Sequence, residues 1–312
     1  MRNFPMTNMK TKSLTTPILA LAAAVVSVAQ AGTPAASTPP PVSTGDWLAE
    51  TISPVTNPIY FEDPAIRSEV RPIYMHHKIH SGFATGEADV DVYALQFRWA
   101  ITERLAFIAT KDGYVDTDIG AFGNPSGWAD ISAGLKYAFI DNRASEFIFT
   151  GGFTFEIPLG DDDVFQGNGD GVLNLFVSTA KGYGKLHLTG QAGVRIPFDG
   201  DEESAILDFN GMIDCRAHQY FQPYVAVHGL HVIDSGNGSS FGGVGAAVNT
   251  EGYDLINFGA PQADGETHVT VAAGFRTHLS PNFNLGFGYE WAATSPEGLF
   301  DDRITVDAIW RF

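Results

Sequence analysis

The chain has 312 residues, with 18 basic and 36 acidic side chains and a formal net charge of −18 at pH 7. This sign argues against a nucleic-acid partner, because phosphate binding needs a basic surface. The single cysteine, Cys215, excludes an intramolecular disulfide framework and a cysteine-based zinc or redox motif, and the residue spacings indicate no cofactor.

The first 31 residues have the order of a secretory signal peptide. Three basic residues precede the apolar stretch 17–28, and residues 29–31 (AQA) offer a cleavage site. The apolar stretch is too short to span a bilayer as a helix, so a membrane anchor is the weaker interpretation. Cleavage after Ala31 would remove three bases and no acid, which leaves 36 acids, 15 bases and a formal charge of −21.

Residues 32–67 are predicted to be a linker followed by an N-terminal periplasmic segment. Residues 32–46 are rich in Pro, Ser and Thr, a composition typical of flexible linkers. In residues 47–67, three prolines break any regular element although several neighbouring side chains are apolar. We expect either an ordered segment at or inside the mouth of the next domain, or a disordered tether.

From residue 68 to residue 312 the sequence alternates between apolar and polar residues, the period of a half-buried strand. In residues 146–157, for example, Phe147 and Phe149 share a face that is opposite to Glu146 and Thr150. Twelve strands are predicted in this way, at 68–79, 89–101, 105–112, 129–140, 146–157, 172–181, 185–198, 207–216, 224–233, 268–276, 284–291 and 303–312.

The predicted connections alternate in length. Short ones are 102–104, 141–145, 182–184, 217–223 and 280–282, whereas longer ones, rich in Gly and Asp, are 80–88, 113–128, 158–171, 199–204, 234–265 and 292–302. Tight turns at one end and long loops at the other are typical of barrels in the bacterial outer membrane. The sequence therefore predicts an all-β fold, a transmembrane antiparallel up-and-down β-barrel of about 12 strands.

The alternation alone does not say which face meets lipid, because a soluble barrel would turn its apolar face inward. Aromatic residues, however, gather near both ends of the predicted strands, where a bilayer has its two interfaces. The last strand also ends in Trp310 and Phe312 on one apolar face. This ending resembles the terminal signal by which the barrel-assembly machinery recognises outer-membrane barrels.

Residues 68–312 resemble Gram-negative outer-membrane barrels in general. In size and strand count they are similar to the barrel family associated with uptake in phenol-degradation pathways. The resemblance rests on architecture and on Phe312, and it implies contact with the lipid bilayer and lipopolysaccharide, and passive transport. It assigns no functional residue.

A barrel of this size should have a narrow lumen lined by the charged residues of the polar face. Charges along a pore select solutes. The candidate lining residues are Arg98, Lys136, Glu156, Arg195, Asp208, Asp214, Arg216, Arg276, Glu290 and Asp307. The sequence favours a narrow channel or transporter for small-molecule solutes. The alternative is that these charges pair and close the barrel, which would then have a structural or surface-interaction role.

Two further interpretations are weaker. The acidic loops are candidates for binding Ca²⁺, but the stretch 161–171 lacks the residue order and the closing Glu of a calcium loop, so a solvated outer surface fits better. His231 and Ser235 match the residue types of an outer-membrane lipid hydrolase, but no wider motif supports them. No catalytic residue and no metal ligand is therefore assigned.

Overall fold

The computed structural model describes residues 47–312, except residue 84, residues 120–122, residue 219 and residues 295–298. The predicted signal peptide and linker, residues 1–46, lie outside the described residues. None of the helices in the described ranges is both long enough and apolar enough to cross a membrane.

Fourteen strands form a single antiparallel sheet. They are β1 (Glu69–Ile79), β2 (Ala88–Ala100), β3 (Leu105–Lys111), β4 (Tyr114–Asp118), β5 (Ser126–Trp128), β6 (Ile131–Asn142), β7 (Phe147–Ile157), β8 (Val172–Tyr183), β9 (Leu186–Pro197), β10 (Ala205–Cys215), β11 (Gln222–Asp234), β12 (Thr267–Ser280), β13 (Phe283–Ala292) and β14 (Phe300–Arg311). The helical pieces are short: Trp47–Glu50, the kinked Ser240–Ala247, and the 3₁₀ turns Asp162–Val164 and Pro261–Ala263.

The sheet closes on itself because β1 pairs with both β2 and β14. Val70 lies opposite Phe97 of β2 on one side and opposite Trp310 of β14 on the other. The amide of Phe312 donates a hydrogen bond of 3.2 Å to the carbonyl of Ser68, so the pairing continues to the last residue. This pairing leaves β1 and β14 without a free edge, as a hydrocarbon environment requires.

β3 and β4 together make up one interrupted barrel strand, and β5 and β6 make up another. The barrel therefore has twelve strands, as predicted. β2 pairs with β3 and then with β4, and β4 pairs with β5 just as β3 pairs with β6. The break before β4 is a bulge: the Asp112 carboxylate accepts the Leu95 amide at 2.8 Å, and Gly113 has φ +127°. Half of the residues in the loop predicted at 113–128 therefore extend the two barrel strands, in pieces too short for their alternation to be recognised.

The outer surface of the barrel is apolar, and the inner surface is polar over most of its length. In β2, Tyr93, Leu95 and Trp99 are each 53% exposed, whereas the intervening Gln96 and Arg98 are buried. Aromatic side chains also contact one another across the outer surface, as Tyr114 does with Trp128 near the long loops. A sheet with this arrangement is stable where its outside meets hydrocarbon.

The segment 47–67, hereafter the plug, enters the barrel from the end with short turns, reverses at Asn57, and returns to the start of β1. The reversal is fixed by a 2.9 Å hydrogen bond from the Phe61 amide to the Asn57 carbonyl, with Asn57 at φ 47°. Trp47 and Leu48 pack in an apolar cluster with wall residues near the short turns. The plug thus fills the half of the barrel that is next to those turns.

The close approach of neighbouring strands generates a prediction about Gly134 in β6. A Cβ atom at Gly134 would fall onto the carbonyl oxygen of Phe153, whereas one at Gly190 in β9 would find its nearest neighbour at 3.6 Å. We expect Gly134→Ala to destabilise the barrel by about 1–3 kcal/mol, the usual cost of overpacking. Urea titrations of refolding, followed by heat-modifiable mobility on gels, measure this effect.

Gly190→Ala is the matched control, and it should be neutral or slightly stabilising because the unfolded chain loses freedom. Equal midpoints for the two variants would contradict the explanation.

Candidate solute pathway

The plug is joined to the barrel wall by a buried ion-pair group around Glu62. Its carboxylate accepts hydrogen bonds from Arg98 at 2.6 Å and from Lys136 at 2.6 Å. Lys136 also donates to the carbonyl of Asp63 at 2.8 Å. Removing one member would leave the others as unpaired charges away from water, which is strongly destabilising. Glu62 therefore holds the returning arm of the plug against the wall.

A second ion-pair group fixes the entering arm of the plug. Asp307 of β14 accepts hydrogen bonds from Arg71 at 2.7 Å and from Arg276 at 2.7 Å. The two guanidinium groups also donate to plug carbonyls: Arg71 to Pro54 at 2.6 Å, and Arg276 to Ser53 at 3.0 Å. One wall carboxylate therefore orients two arginines, which in turn bind the backbone of the plug.

Neutral polar groups hold the turn of the plug at mid-barrel. Thr56 shares a 2.8 Å hydrogen bond with His228, and the Asn57 amide donates to Asn210 at 2.9 Å. Asn210 in turn donates to Gln191 at 2.5 Å. These contacts satisfy polar groups that would otherwise be buried without partners.

The structure places the sequence-predicted lining residues in several environments. Arg98, Lys136, Arg276 and Asp307 pair with the plug or with each other, as described above. Three of the others contact charged or aromatic side chains: Glu156 accepts from Lys111 at 2.5 Å, Arg195 stacks 3.7 Å from the Tyr60 ring, and Arg216 pairs with Glu50 of the plug. The remaining three carboxylates have hydrogen-bond partners on the wall: Asp208 with Asn210 at 3.4 Å, Asp214 with His187 at 2.7 Å, and Glu290 with Thr270 at 2.5 Å. Arg216 follows the last residue of β10, and its side chain is 41% exposed.

Beyond the turn of the plug lies a cavity of about 410 Å³ whose wall is almost entirely apolar. The plug residues Pro58 and Ile59 line it, and inward-facing side chains of β1, β2 and β4 supply much of its wall. These wall residues include Ile73, Met75, Ile79, Val90, Val92 and Val115. We call this space the apolar cavity.

Most polar side chains of the cavity wall use their hydrogen-bonding groups elsewhere. The Gln96 amide donates to the carbonyls of Pro58 at 2.7 Å and Thr110 at 2.6 Å. The Gln166 amide donates to two loop carbonyls, and Thr117 donates to the Pro125 carbonyl at 2.7 Å. A molecule in the apolar cavity would therefore meet mainly hydrocarbon, which favours apolar occupants.

The long loop between β11 and β12 folds inward and covers the apolar cavity. Its conformation depends on buried Glu251, whose carboxylate accepts hydrogen bonds from Ser204 at 2.7 Å and from the amides of Phe258 at 2.8 Å and Ala260 at 2.9 Å. Burial raises the pKa of Glu251, although these three donors act in the opposite direction. The loop is thereby tied to the loop that precedes β10.

Four phenylalanines form an aromatic cover above the apolar cavity. The Phe258 ring lies 5.9 Å from Phe165, 5.9 Å from Phe83 and 6.4 Å from Phe241. Phe165 and Phe241 both have left-handed backbone conformations, with φ of 58° and 48°. Phe165 lines the apolar cavity and also an open cleft of about 310 Å³ on the long-loop side. The aromatic cover thus separates that outer cleft from the interior.

A small polar niche lies beside the apolar cavity, lined by Tyr60, Lys111, Asp130, Glu156, Arg195, Glu203 and their neighbours. Glu203, in the loop between β9 and β10, is 5% exposed, and its Oε2 atom has no hydrogen-bond partner among the described residues. Burial raises the pKa of Glu203 to about 8, and the carboxylates of Glu156 and Asp130 act in the same direction against Lys111. Glu203 is therefore mainly neutral at pH 7.

Sequence reasoning did not identify the apolar cavity or Glu203. Val90 and Val92 follow the same alternation as Gln96 and Arg98, so the sequence does contain a signal that the inner face of β2 becomes apolar toward the long loop. No comparable signal exists for Glu203, because it belongs to a run of loop acids whose other members lie at the surface. Its burial depends on contacts with distant loops.

The side chains considered for catalysis have other partners. His231 shares a 2.9 Å hydrogen bond with Thr267, and Ser235 donates to the Pro261 carbonyl at 3.5 Å. Within the described part of the chain, no three His, Cys, Asp or Glu side chains are grouped so as to hold a metal ion.

The raised pKa of Glu203 generates a prediction about stability. The folded barrel favours the neutral form of Glu203, which adds to the free energy of unfolding. This contribution is fully present below the pKa of the unfolded chain and is lost as the pH rises to about 8, because over that range only the unfolded chain releases the proton freely. Glu203→Gln keeps the neutral form at every pH. Its unfolding free energy relative to wild type should rise by about 4 kcal/mol between about pH 5 and about pH 9.

Urea unfolding at several pH values measures this difference. Asp201→Asn, in the same loop but exposed, is the control and should show no such trend. A flat profile for Glu203→Gln would contradict a raised pKa.

No protein-family model and no curated protein matches the chain. Solved structures do match. An outer-membrane channel from Pseudomonas putida F1 aligns with a TM-score of 0.58 and 13% identity, over 84% of this chain and 100% of that chain. The NanC porin aligns with a TM-score of 0.45 and 7% identity, over 78% and 99%, and the translocator domain of the autotransporter NalP from Neisseria meningitidis with 0.48 and 8%, over 79% and 88%.

At 13% identity, the alignment with the Pseudomonas putida F1 channel shows a shared fold. That fold agrees with the closed sheet, the apolar outer surface and the alternation of short turns with long loops. Together these observations identify the chain as a twelve-stranded β-barrel of the bacterial outer membrane.

Proposed function

We propose that this barrel is an outer-membrane channel for small apolar solutes, which enter from the outer cleft, occupy the apolar cavity and leave past the plug. The observation that carries the proposal is the apolar cavity itself. A folded protein keeps few voids larger than a water molecule, and a space of about 410 Å³ is large enough for a small ligand. Its apolar wall selects the class of solute.

The proposal requires the plug to move. In the closed arrangement, Pro58 and Ile59 of the plug line the apolar cavity, while the ion pairs of Glu62 and Asp307 fix the two arms. Among the described residues, the plug has no strand pairing with the wall, so its displacement would break side-chain contacts and leave the barrel ladders intact. If the plug never moves, the alternative of a closed barrel with a surface-interaction role applies.

The exposed outer surface of the barrel supports two inferences about its partners in the membrane. We infer that lipopolysaccharide contacts the half of the barrel near the long loops. We also infer that the barrel-assembly machinery recognises the exposed side chains of Trp310 and Phe312 at the end of β14.

A first prediction concerns the space in the apolar cavity. Val92→Trp would fill part of it, since Val92 is buried and lines the wall. We expect entry of the fluorescent apolar probe N-phenyl-1-naphthylamine to become about tenfold slower, the effect of losing roughly 1.4 kcal/mol of binding. The rate of fluorescence rise in proteoliposomes with a lipopolysaccharide outer leaflet measures entry.

Leu95→Trp is the matched control, because Leu95 is on the same strand but faces outward. The probe should enter Leu95→Trp vesicles at the wild-type rate. If the probe enters the wild-type and Val92→Trp vesicles equally fast, the apolar cavity is not on the pathway.

A second prediction concerns the attachment of the plug. Glu62→Ala would leave Arg98 and Lys136 without their shared carboxylate, and breaking such a buried group costs about 3–5 kcal/mol. We expect the plug to be released more often, so that planar-bilayer recordings show more frequent or larger openings. Digestion of the plug by added protease should accelerate in parallel.

Glu50→Ala is the control in the same segment. Glu50 pairs with the half-exposed Arg216, and an exposed pair contributes about 0–1 kcal/mol, so its openings should resemble wild type. A Glu62→Ala barrel that is folded, by heat-modifiable mobility, yet silent would contradict the movable plug.

A further inference from the structure

The polar niche offers hydrogen-bonding groups that the folded chain does not use. Besides the Oε2 atom of Glu203, the Nε atom of buried Arg195 has no partner among the described residues. Lys111 has three donor hydrogens and makes one short hydrogen bond, to Glu156. Buried polar atoms without partners are costly, so the niche is built to receive an additional polar group.

The room in the niche limits that group to a very small one. The niche has a volume of about 20 Å³, which is enough for one water molecule or one hydroxyl group. A carboxylate or phosphate, with two or more oxygens, would not fit without displacing the surrounding side chains.

The charge balance of the niche favours a neutral group. Asp254 forms its own buried pair with Arg303 at 2.6 Å, and Glu203 is neutral near pH 7. The remaining two acids, Asp130 and Glu156, face two bases, Lys111 and Arg195. An entering ion of either sign would therefore be left without a counter-charge.

The niche adjoins the apolar cavity directly. Five residues line both spaces: Lys111, Phe165, Gln166, Leu255 and Ile256. We propose that the polar niche binds the hydroxyl group of a small neutral solute whose apolar body occupies the apolar cavity. This assignment rests on the proposed function and names its substrate class: neutral amphiphiles with one hydroxyl group, bound in preference to pure hydrocarbons of the same shape.

The test compares two fluorinated probes with the purified full-length protein. 4-Fluorobenzyl alcohol and 4-fluorotoluene share an apolar body and differ in the hydroxyl group, and ¹⁹F NMR titration in detergent micelles gives their affinities. Val92→Trp protein, with the apolar cavity partly filled, supplies the correction for micelle partitioning. We expect wild type to bind the alcohol about three- to tenfold more tightly than the hydrocarbon, the effect of one net hydrogen bond.

Variants at Glu203 locate the preference. Glu203→Leu removes the polar group and should bring the affinity ratio close to one, with the affinity for 4-fluorotoluene unchanged. Glu203→Gln keeps a donor and an acceptor and should retain the preference. Asp201→Leu, a change of similar size at an exposed position of the same loop, should have no effect.

The outcomes separate the two proposals. If wild type binds 4-fluorotoluene but shows no preference for the alcohol, or if Glu203→Leu keeps the preference, the niche holds only a structural water and the assignment is wrong. Tighter binding of 4-fluorobenzylamine than of the alcohol would also overturn it, in favour of a cation site. If neither probe binds wild type, the apolar cavity does not bind solutes and the proposed function fails as well.

Discussion

The structure depends on one constraint: a charge enclosed by the barrel must have a partner inside it. The inner guanidinium and ammonium groups are buried, and the apolar bilayer surrounds the wall. Glu62 and the carbonyl groups of the plug supply these partners for Arg98, Lys136, Arg71 and Arg276. The charged wall therefore specifies where the plug lies, and the plug supplies the partners that the buried charges of the wall require.

The same constraint divides the interior into two halves. Toward the short turns, the wall is charged and the plug occupies the space. Toward the long loops, the inward side chains of β1, β2 and β4 are largely apolar and need no polar partner, so this half can remain open as the apolar cavity. The loop ordered by Glu251 covers it from outside. From the outer cleft inward, the barrel thus has three successive environments, namely an aromatic cover, a hydrocarbon space and a charged plug.

The sequence predicted the wall well because strand alternation is local. The twelve strands and the apolar outer face follow from the alternation of apolar and polar residues, and the turn lengths follow from where that alternation stops. The plug was harder to predict: residues 47–67 have no period, and their placement depends on partners such as Lys136 and Asp307, far away in the chain. The apolar cavity was missed for a different reason. The assumption of a polar inner face was correct at Arg98 but not at Val90, on the same strand.

The position of Glu203 links these observations to selectivity. A purely apolar cavity discriminates among solutes mainly by size, because each methylene group contributes a similar free energy. In the proposed channel, Glu203 of the adjoining polar niche, whose Oε2 atom has no partner among the described residues, would add a directional contact that disfavours molecules leaving it unpaired. Because burial and the nearby carboxylates of Glu156 and Asp130 keep Glu203 mainly neutral at pH 7, this contact would require no counter-ion and would not oppose the passage of uncharged solutes. A channel of this design would combine an unselective hydrocarbon space with one point of recognition.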